Sequence, residues 1–141
     1  MTKKILLDTN LLIGALDGDP DNEQHQKAEK LLEEYLEDPD VRLAITPLIR
    51  YEVLRGVKQE DIAELNERLN QFEEIDIRAA MATRAAQLFA VAKNSSNPTL
   101  LNKRSFDLFH CVCAELNDLE INSHDGDIEK IKELINQNPR T

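Results

Sequence analysis

Aromatic residues are scarce in this chain of 141 residues, at only 4% of its positions. The core must therefore consist mostly of Leu, Ile, Val and Ala. The sequence contains no apolar run of about 18 residues, the length that a membrane-spanning helix requires. Its basic and then apolar start is broken by Asp8, too soon for a signal peptide. We therefore expect a cytoplasmic protein that folds as one domain over residues 1–141.

Cysteine is almost as rare as aromatic residues, with Cys111 and Cys113 as the two thiols of the chain. They lie two residues apart in a helical pattern, and side chains at that spacing do not face each other. A disulfide between them is not expected, and nothing in the sequence requires an oxidising compartment.

Basic residues are too few to balance the acidic ones, which leaves a formal net charge of −10. This balance argues against nucleic-acid binding, because phosphate contacts normally come from Lys and Arg. Two arrangements would remove the conflict. Divalent cations could neutralise an acidic centre, or basic residues could form a local patch.

Short apolar segments alternate with amphipathic ones along the chain. Strands are predicted at Lys3–Leu7, Arg42–Ile45, Glu73–Ile77 and Leu119–Asn122. Helices are predicted between and after them at 10–16, 23–37, 47–56, 60–70, 78–93, 106–116 and 128–138. This alternation predicts an α/β fold of three layers, α/β/α, around a short parallel sheet of about four to five strands.

Acidic residues follow or face the ends of these strands. Asp8 ends the first strand, Glu52 lies in the helix after the second, and Asp107 begins the helix that leads into the fourth. Asp125 and Asp127 follow the fourth strand. Ligands of open parallel sheets bind at the carboxyl ends of the strands, so these acids could meet there. Two like charges 4 Å apart repel by roughly 4 kcal/mol at an effective dielectric of 20, so such a cluster favours Mg²⁺ or Mn²⁺.

Each acid also has an ordinary explanation. Asp8 could cap the following helix, and Glu52 could be a solvated helix residue. Asp107 could interact with the helix dipole, whereas Asp125 and Asp127 could be turn residues. Their joint placement, rather than any one of them, points to a metal site.

Four segments of the chain resemble the PIN domain, in order and spacing: "ILLDTNLLI", "TPLIRYEVLRG", "SFDLFHCVCAEL" and "EINSHDGDIEKI". The chain is most similar to the small kind typified by the VapC toxins of toxin–antitoxin pairs. The resemblance implies an endonuclease that hydrolyses RNA phosphodiesters with Mg²⁺ or Mn²⁺. It also implies a homodimer and a cognate antitoxin partner.

The motifs of the family can be carried over residue by residue. The four family acids match Asp8, Glu52, Asp107 and Asp125, and an acid often found beside the fourth matches Asp127. Two polar residues that would hydrogen-bond the carboxylates match Asn10 and Ser123. Basic residues near these motifs are either phosphate-binding or simply solubilising: Lys3, Lys4, Arg50, Arg55, Lys58, Lys103 and Arg104.

Other functions compete with a toxin nuclease. A phosphatase with Asp8 as nucleophile is disfavoured, because Asn10 stands where the haloacid-dehalogenase pattern has a second Asp. An RNA-processing nuclease that is not a toxin, and an inactive PIN-like scaffold that binds partners, both stay open.

Overall fold

Four parallel strands form one sheet in the part of the chain that the computed structural model describes, residues 2–17, 19–94, 105–122 and 126–140. The side chains at 17, 105, 122, 126 and 127 are outside this description. The strands are β1 (Lys3–Leu7), β2 (Val41–Ile45), β3 (Glu73–Glu74) and β4 (Glu120–Asn122). Their order across the sheet is β3-β2-β1-β4, and every pairing is parallel.

Seven α-helices accompany the sheet within the same described ranges, which confirms the predicted α/β class. They are α1 (Thr9–Asp17), α2 (Glu23–Glu37), α3 (Pro47–Leu54), α4 (Ile62–Leu69), α5 (Ala79–Lys93), α6 (Ser105–Leu116) and α7 (Gly126–Gln137). A short 3-10 helix, Gln59–Asp61, precedes α4. None of the helices in the described residues has the length and apolar character needed to cross a membrane.

The described residues fall into two compact units. The first holds the residues up to Asp76 together with β4, and therefore the whole sheet. The second holds the residues from Ile77 to Leu119 and those of α7.

The central strand of the first unit is β1. Its residues Ile5, Leu6 and Leu7 are all buried, as expected for a parallel strand whose two faces are both covered. Leu7 is in register with Asn122 of β4, and Leu6 with Ala44 of β2. The carboxyl ends of these three strands therefore lie along a common edge of the sheet.

The start of α3 follows its local sequence. Thr46 caps the helix, since its Oγ1 accepts a hydrogen bond from the Ile49 amide at 3.1 Å. Pro47 occupies the first turn, where its missing amide hydrogen is no loss. Ile49 and Val53 bury one face of the helix. The predicted helix start after β2 is thus correct.

The third strand is shorter than predicted. It covers only Glu73–Glu74, although the Ile75 amide still donates to the Ile45 carbonyl at 2.8 Å. β3 is an edge strand that pairs only with β2, and the next residues, Asp76 and Ile77, are exposed. An edge strand whose side chains bury no apolar surface gains little from further pairing, so the hydrogen bonds between β3 and β2 end early.

A buried ion pair connects the helices of the second unit. Arg84 of α5 is 9% exposed, and its Nε and Nη2 donate to the two carboxylate oxygens of Glu115 in α6 at 3.0 and 3.1 Å. The same Nη2 donates to the Asn138 carbonyl just after α7, at 2.6 Å. One guanidinium therefore fixes three segments that are distant in sequence.

The two thiols are also buried in α6. Cys111 and Cys113 are both present as thiols and not as a disulfide. Burial raises the pKa of the Cys113 thiol to about 11, and a hydrogen bond from Asn117 offsets this only in part. The thiol is therefore protonated and unreactive at neutral pH.

We expect Glu115→Gln to destabilise the fold by about 2 kcal/mol, because it leaves the buried Arg84 charge without its counterion. The matched control is Glu129→Gln, since Glu129 pairs with Lys132 at an exposed position and should contribute less than about 0.5 kcal/mol. Urea unfolding followed by circular dichroism measures both. Equal losses in the two variants would contradict the structural importance of the Arg84 pair.

Candidate functional site

Asp8 lies at the junction between the central strand and the first helix. It follows Leu7 directly, is only 4% exposed, and its carbonyl accepts the Leu12 amide hydrogen at 3.1 Å. Asp8 therefore also occupies the cap position of α1. A carboxylate at this depth is stable only with donors or cations around it.

Glu52 is held beside this junction by a hydrogen bond. Thr9 Oγ1 donates to Glu52 Oε1 at 3.2 Å, across 43 positions of sequence. Thr9 is 8% exposed and the Glu52 side chain 10% exposed, so the contact is largely shielded from water. The structure thus brings the second predicted acid to the residue next to the first.

Thr9 makes a contact with a predicted site acid that the sequence did not reveal. The family motif predicts a supporting role for Asn10, whose side chain is exposed, and the hydrogen bond to Glu52 comes from the neighbouring Thr9. Both lie in the first turn of α1, where one residue rotates the side chain by about 100°. The sequence offered one clue to Thr9: it follows Asp8 directly, and a residue next to a buried strand end is itself expected to be buried.

The guanidinium of Arg50 makes hydrogen bonds to other residues of the protein. Its Nε and Nη2 bind the Glu74 carboxylate, with Nη2 at 2.6 Å, and its Nη1 contacts the Asn66 side-chain oxygen at 2.6 Å. The side chain is 18% exposed. Arg50 therefore braces α3 against β3 and α4, so that its contacts serve to position the helix that carries Glu52.

Arg55 has a different environment. Its Nη2 lies 3.9 Å from Glu52 Oε2, and its guanidinium carbon lies 5.4 Å from the centre of the Tyr51 ring. The Arg55 side chain is 52% exposed. It therefore presents positive charge to solvent beside one of the predicted metal ligands.

Two other basic residues lie at the amino ends of the strands, away from Asp8. Lys3 and Lys4 are at the amino end of β1, where they pair with Glu120 at 3.1 Å and Glu73 at 3.0 Å. They stabilise the strand starts and do not frame the edge where Asp8 lies.

The remaining predicted site residues belong to other parts of the chain. Asp107 is half-buried in the first turn of α6, within the second unit. The backbone of Asp127 lies in α7, but its side chain is outside the described residues. Four further predictions lie wholly outside them: Asp125, Ser123, Lys103 and Arg104.

The described donors of the first unit suit a hard divalent cation. Asp8 and Glu52 supply carboxylate oxygens, the ligands that Mg²⁺ and Mn²⁺ prefer. Within the described ranges, no three or more His, Cys, Asp or Glu side chains gather into one group. Two described acids thus fit the predicted class of metal, for which water and phosphate oxygens are also common ligands.

Comparison with known proteins agrees with this architecture. The chain is similar to a solved toxin–antitoxin complex from Klebsiella pneumoniae, with 24% identity, 86% coverage of each chain and a TM-score of 0.63. That similarity concerns the fold. No curated protein matches the chain. The PIN domain model matches residues 5–134, which include all of the sheet except Lys3 and Lys4, as well as Asp8 and Glu52. The chain therefore belongs to the PIN domain family.

Proposed function

We propose that this protein is a ribonuclease that hydrolyses RNA phosphodiesters with the help of Mg²⁺ or Mn²⁺. The observation that supports this best is a pair of shielded carboxylates, Asp8 and Glu52, at the carboxyl ends of the strands. Glu52 accepts a hydrogen bond from Thr9, the residue that follows Asp8. Membership of the PIN family adds to it, since PIN domains are generally nucleases.

The proposed ligands are the acids of all four motifs. Asp8 and Glu52 come from the first unit, and Asp107, Asp125 and Asp127 would complete the set. When bound, a divalent cation lowers the pKa of water and stabilises the charge that develops on a phosphate. Without it, several carboxylates in one place would repel each other and RNA alike.

The chain's own residues hold the acids in place before any ligand arrives. Thr9 occupies one lone pair of Glu52 Oε1 and so restricts rotation of that carboxylate. The Thr46 cap and the Arg50 contacts fix α3, on which Glu52 lies. A site built on such fixed elements needs little rearrangement to bind.

We further propose that the nuclease is the toxin of a toxin–antitoxin pair, acting as a homodimer that a cognate antitoxin inhibits. The similar solved structure is a toxin–antitoxin complex, and both chains are covered to 86%. The alternatives are a PIN nuclease that processes RNA without being a toxin, and an inactive scaffold.

Removing a proposed ligand should weaken metal binding. We expect Asp8→Asn, Glu52→Gln and Asp107→Asn each to lower Mn²⁺ affinity at least about tenfold, since each removes one negatively charged oxygen donor. Isothermal titration calorimetry with Mn²⁺ alone measures this without any RNA.

The matched control is Asp40→Asn, because Asp40 is exposed at the amino end of β2. It should bind Mn²⁺ as the wild type does. Unchanged affinity in Asp107→Asn, with a loss in the other two variants, would exclude Asp107 from the metal site. Unchanged affinity in all three would refute the proposed site.

The hydroxyl of Thr9 should matter for metal binding, although it is not a proposed ligand. We expect Thr9→Val to weaken Mn²⁺ binding about tenfold, because Glu52 loses the bond that orients it. Thr9→Ser should retain the affinity, and Asn10→Ala should leave it unchanged. The reverse pattern, with a loss only in Asn10→Ala, would show that the supporting residue is Asn10.

Expression in a bacterial host separates a toxin from its alternatives. Induced wild-type protein should arrest growth, whereas Asp8→Asn should not, because it lacks a proposed metal ligand. Growth is scored beside cleavage of total RNA by the purified proteins. Cleavage with no arrest would favour a processing enzyme, and neither effect would favour an inactive scaffold.

A further inference from the structure

Tyr51 is the most solvent-accessible of the large hydrophobic side chains in the described residues. Its exposed fraction is 55%, in a chain that has few aromatic residues. It lies on α3 directly before Glu52. A single exposed ring needs no explanation by itself, so its surroundings decide whether it has a role.

Arg55 connects this ring to the proposed metal site. Tyr51 and Arg55 are four residues apart on one helix face, and the guanidinium carbon lies 5.4 Å from the ring centre. The same guanidinium reaches within 3.9 Å of Glu52 Oε2. Arg55 therefore lies within reach of both the exposed ring and a carboxylate that we assign to metal binding.

Charge indicates what this surface would bind. Arg50, earlier on the helix, donates hydrogen bonds to Glu74 and Asn66. Arg55 and Lys58 are both exposed, and Arg55 also interacts with Glu52 and the Tyr51 ring. In a chain of net charge −10, an exposed aromatic ring followed by two exposed cations suits an anionic ligand with a flat π face.

We propose that Tyr51 and Arg55 form a nucleotide contact for single-stranded RNA beside the scissile phosphate. A base stacks on the Tyr51 ring, and Arg55 contacts a neighbouring phosphate. Unpaired bases of RNA are commonly bound in this way, because every base offers a π face to an aromatic side chain. This inference rests on the proposed ribonuclease function, and names a part of the substrate surface.

Stacking should contribute to substrate binding and not to the chemical step. We expect Tyr51→Ala to lower kcat/KM for RNA cleavage about tenfold, mainly through KM. Tyr51→Phe and Tyr51→Trp should stay within about twofold of the wild type, since both keep a stacking ring. Phe89→Ala is the control, because Phe89 is an exposed aromatic residue on α5. A loss in Tyr51→Phe equal to that in Tyr51→Ala would overturn stacking.

A binding measurement separates this proposal from the ribonuclease proposal. The probe is a short single-stranded RNA that carries 2-aminopurine, whose fluorescence falls on stacking, with Ca²⁺ in place of Mg²⁺. We expect quenching by the wild type and its loss in Tyr51→Ala. Quenching that depends on Tyr51, in a protein that cleaves no RNA, would support the contact and refute the nuclease.

Three results would overturn the contact. They are equal quenching by wild type and Tyr51→Ala, no RNA binding by the wild type, and equal cleavage by both proteins. Sedimentation velocity then tests whether Tyr51 contributes to the oligomeric state. A Tyr51→Ala variant that changes from dimer to monomer would assign this surface to contacts between two copies of the chain instead.

Discussion

The hydrogen bond from Thr9 to Glu52 is the contact on which the candidate site depends. It joins the start of α1, just after the central strand β1, to α3, the helix that follows β2, across 43 positions of sequence. The parallel sheet makes this possible, because β1 and β2 end at the same edge and each passes there into a helix. Burial of Ile5, Leu6 and Leu7 then fixes where Asp8 can lie. Packing of the strand thus determines the depth of the carboxylate.

Charged residues of the first unit serve two separate purposes. At the amino ends of the strands, Lys3 and Lys4 neutralise acids of β4 and β3, which ties the sheet together. At the carboxyl ends, Arg50 is bound to Glu74 and holds α3. The strongly acidic total is therefore compatible with the proposed local site for phosphate, because the cations that we propose for the acids, together with the exposed Arg55, would offset repulsion there.

Local features of the fold could be predicted from the sequence, and contacts between distant residues could not. The apolar run before Asp8 and the Thr46–Pro47 pair each specify an element by short-range chemistry, and both are where the sequence places them. The pairing of Arg84 with Glu115 depends on how two helices pack, which no spacing along the chain encodes. The bond from Thr9 to Glu52 depends on where successive side chains point, about 100° apart in one helical turn, which is finer than a motif comparison resolves.

One short helix links the proposed metal site to the proposed RNA contact. α3 carries Tyr51 and Glu52, and Arg55 follows as its capping residue, so their relative positions are set by helix geometry alone. The Thr46 cap holds the start of the helix, while Arg50 holds its middle. A rotation or shift of α3 would therefore move the metal ligand and the stacking ring together. If both proposals hold, this arrangement keeps a bound nucleotide in constant register with the proposed site of hydrolysis, and fixed placement of reacting groups can supply a large share of a reaction rate.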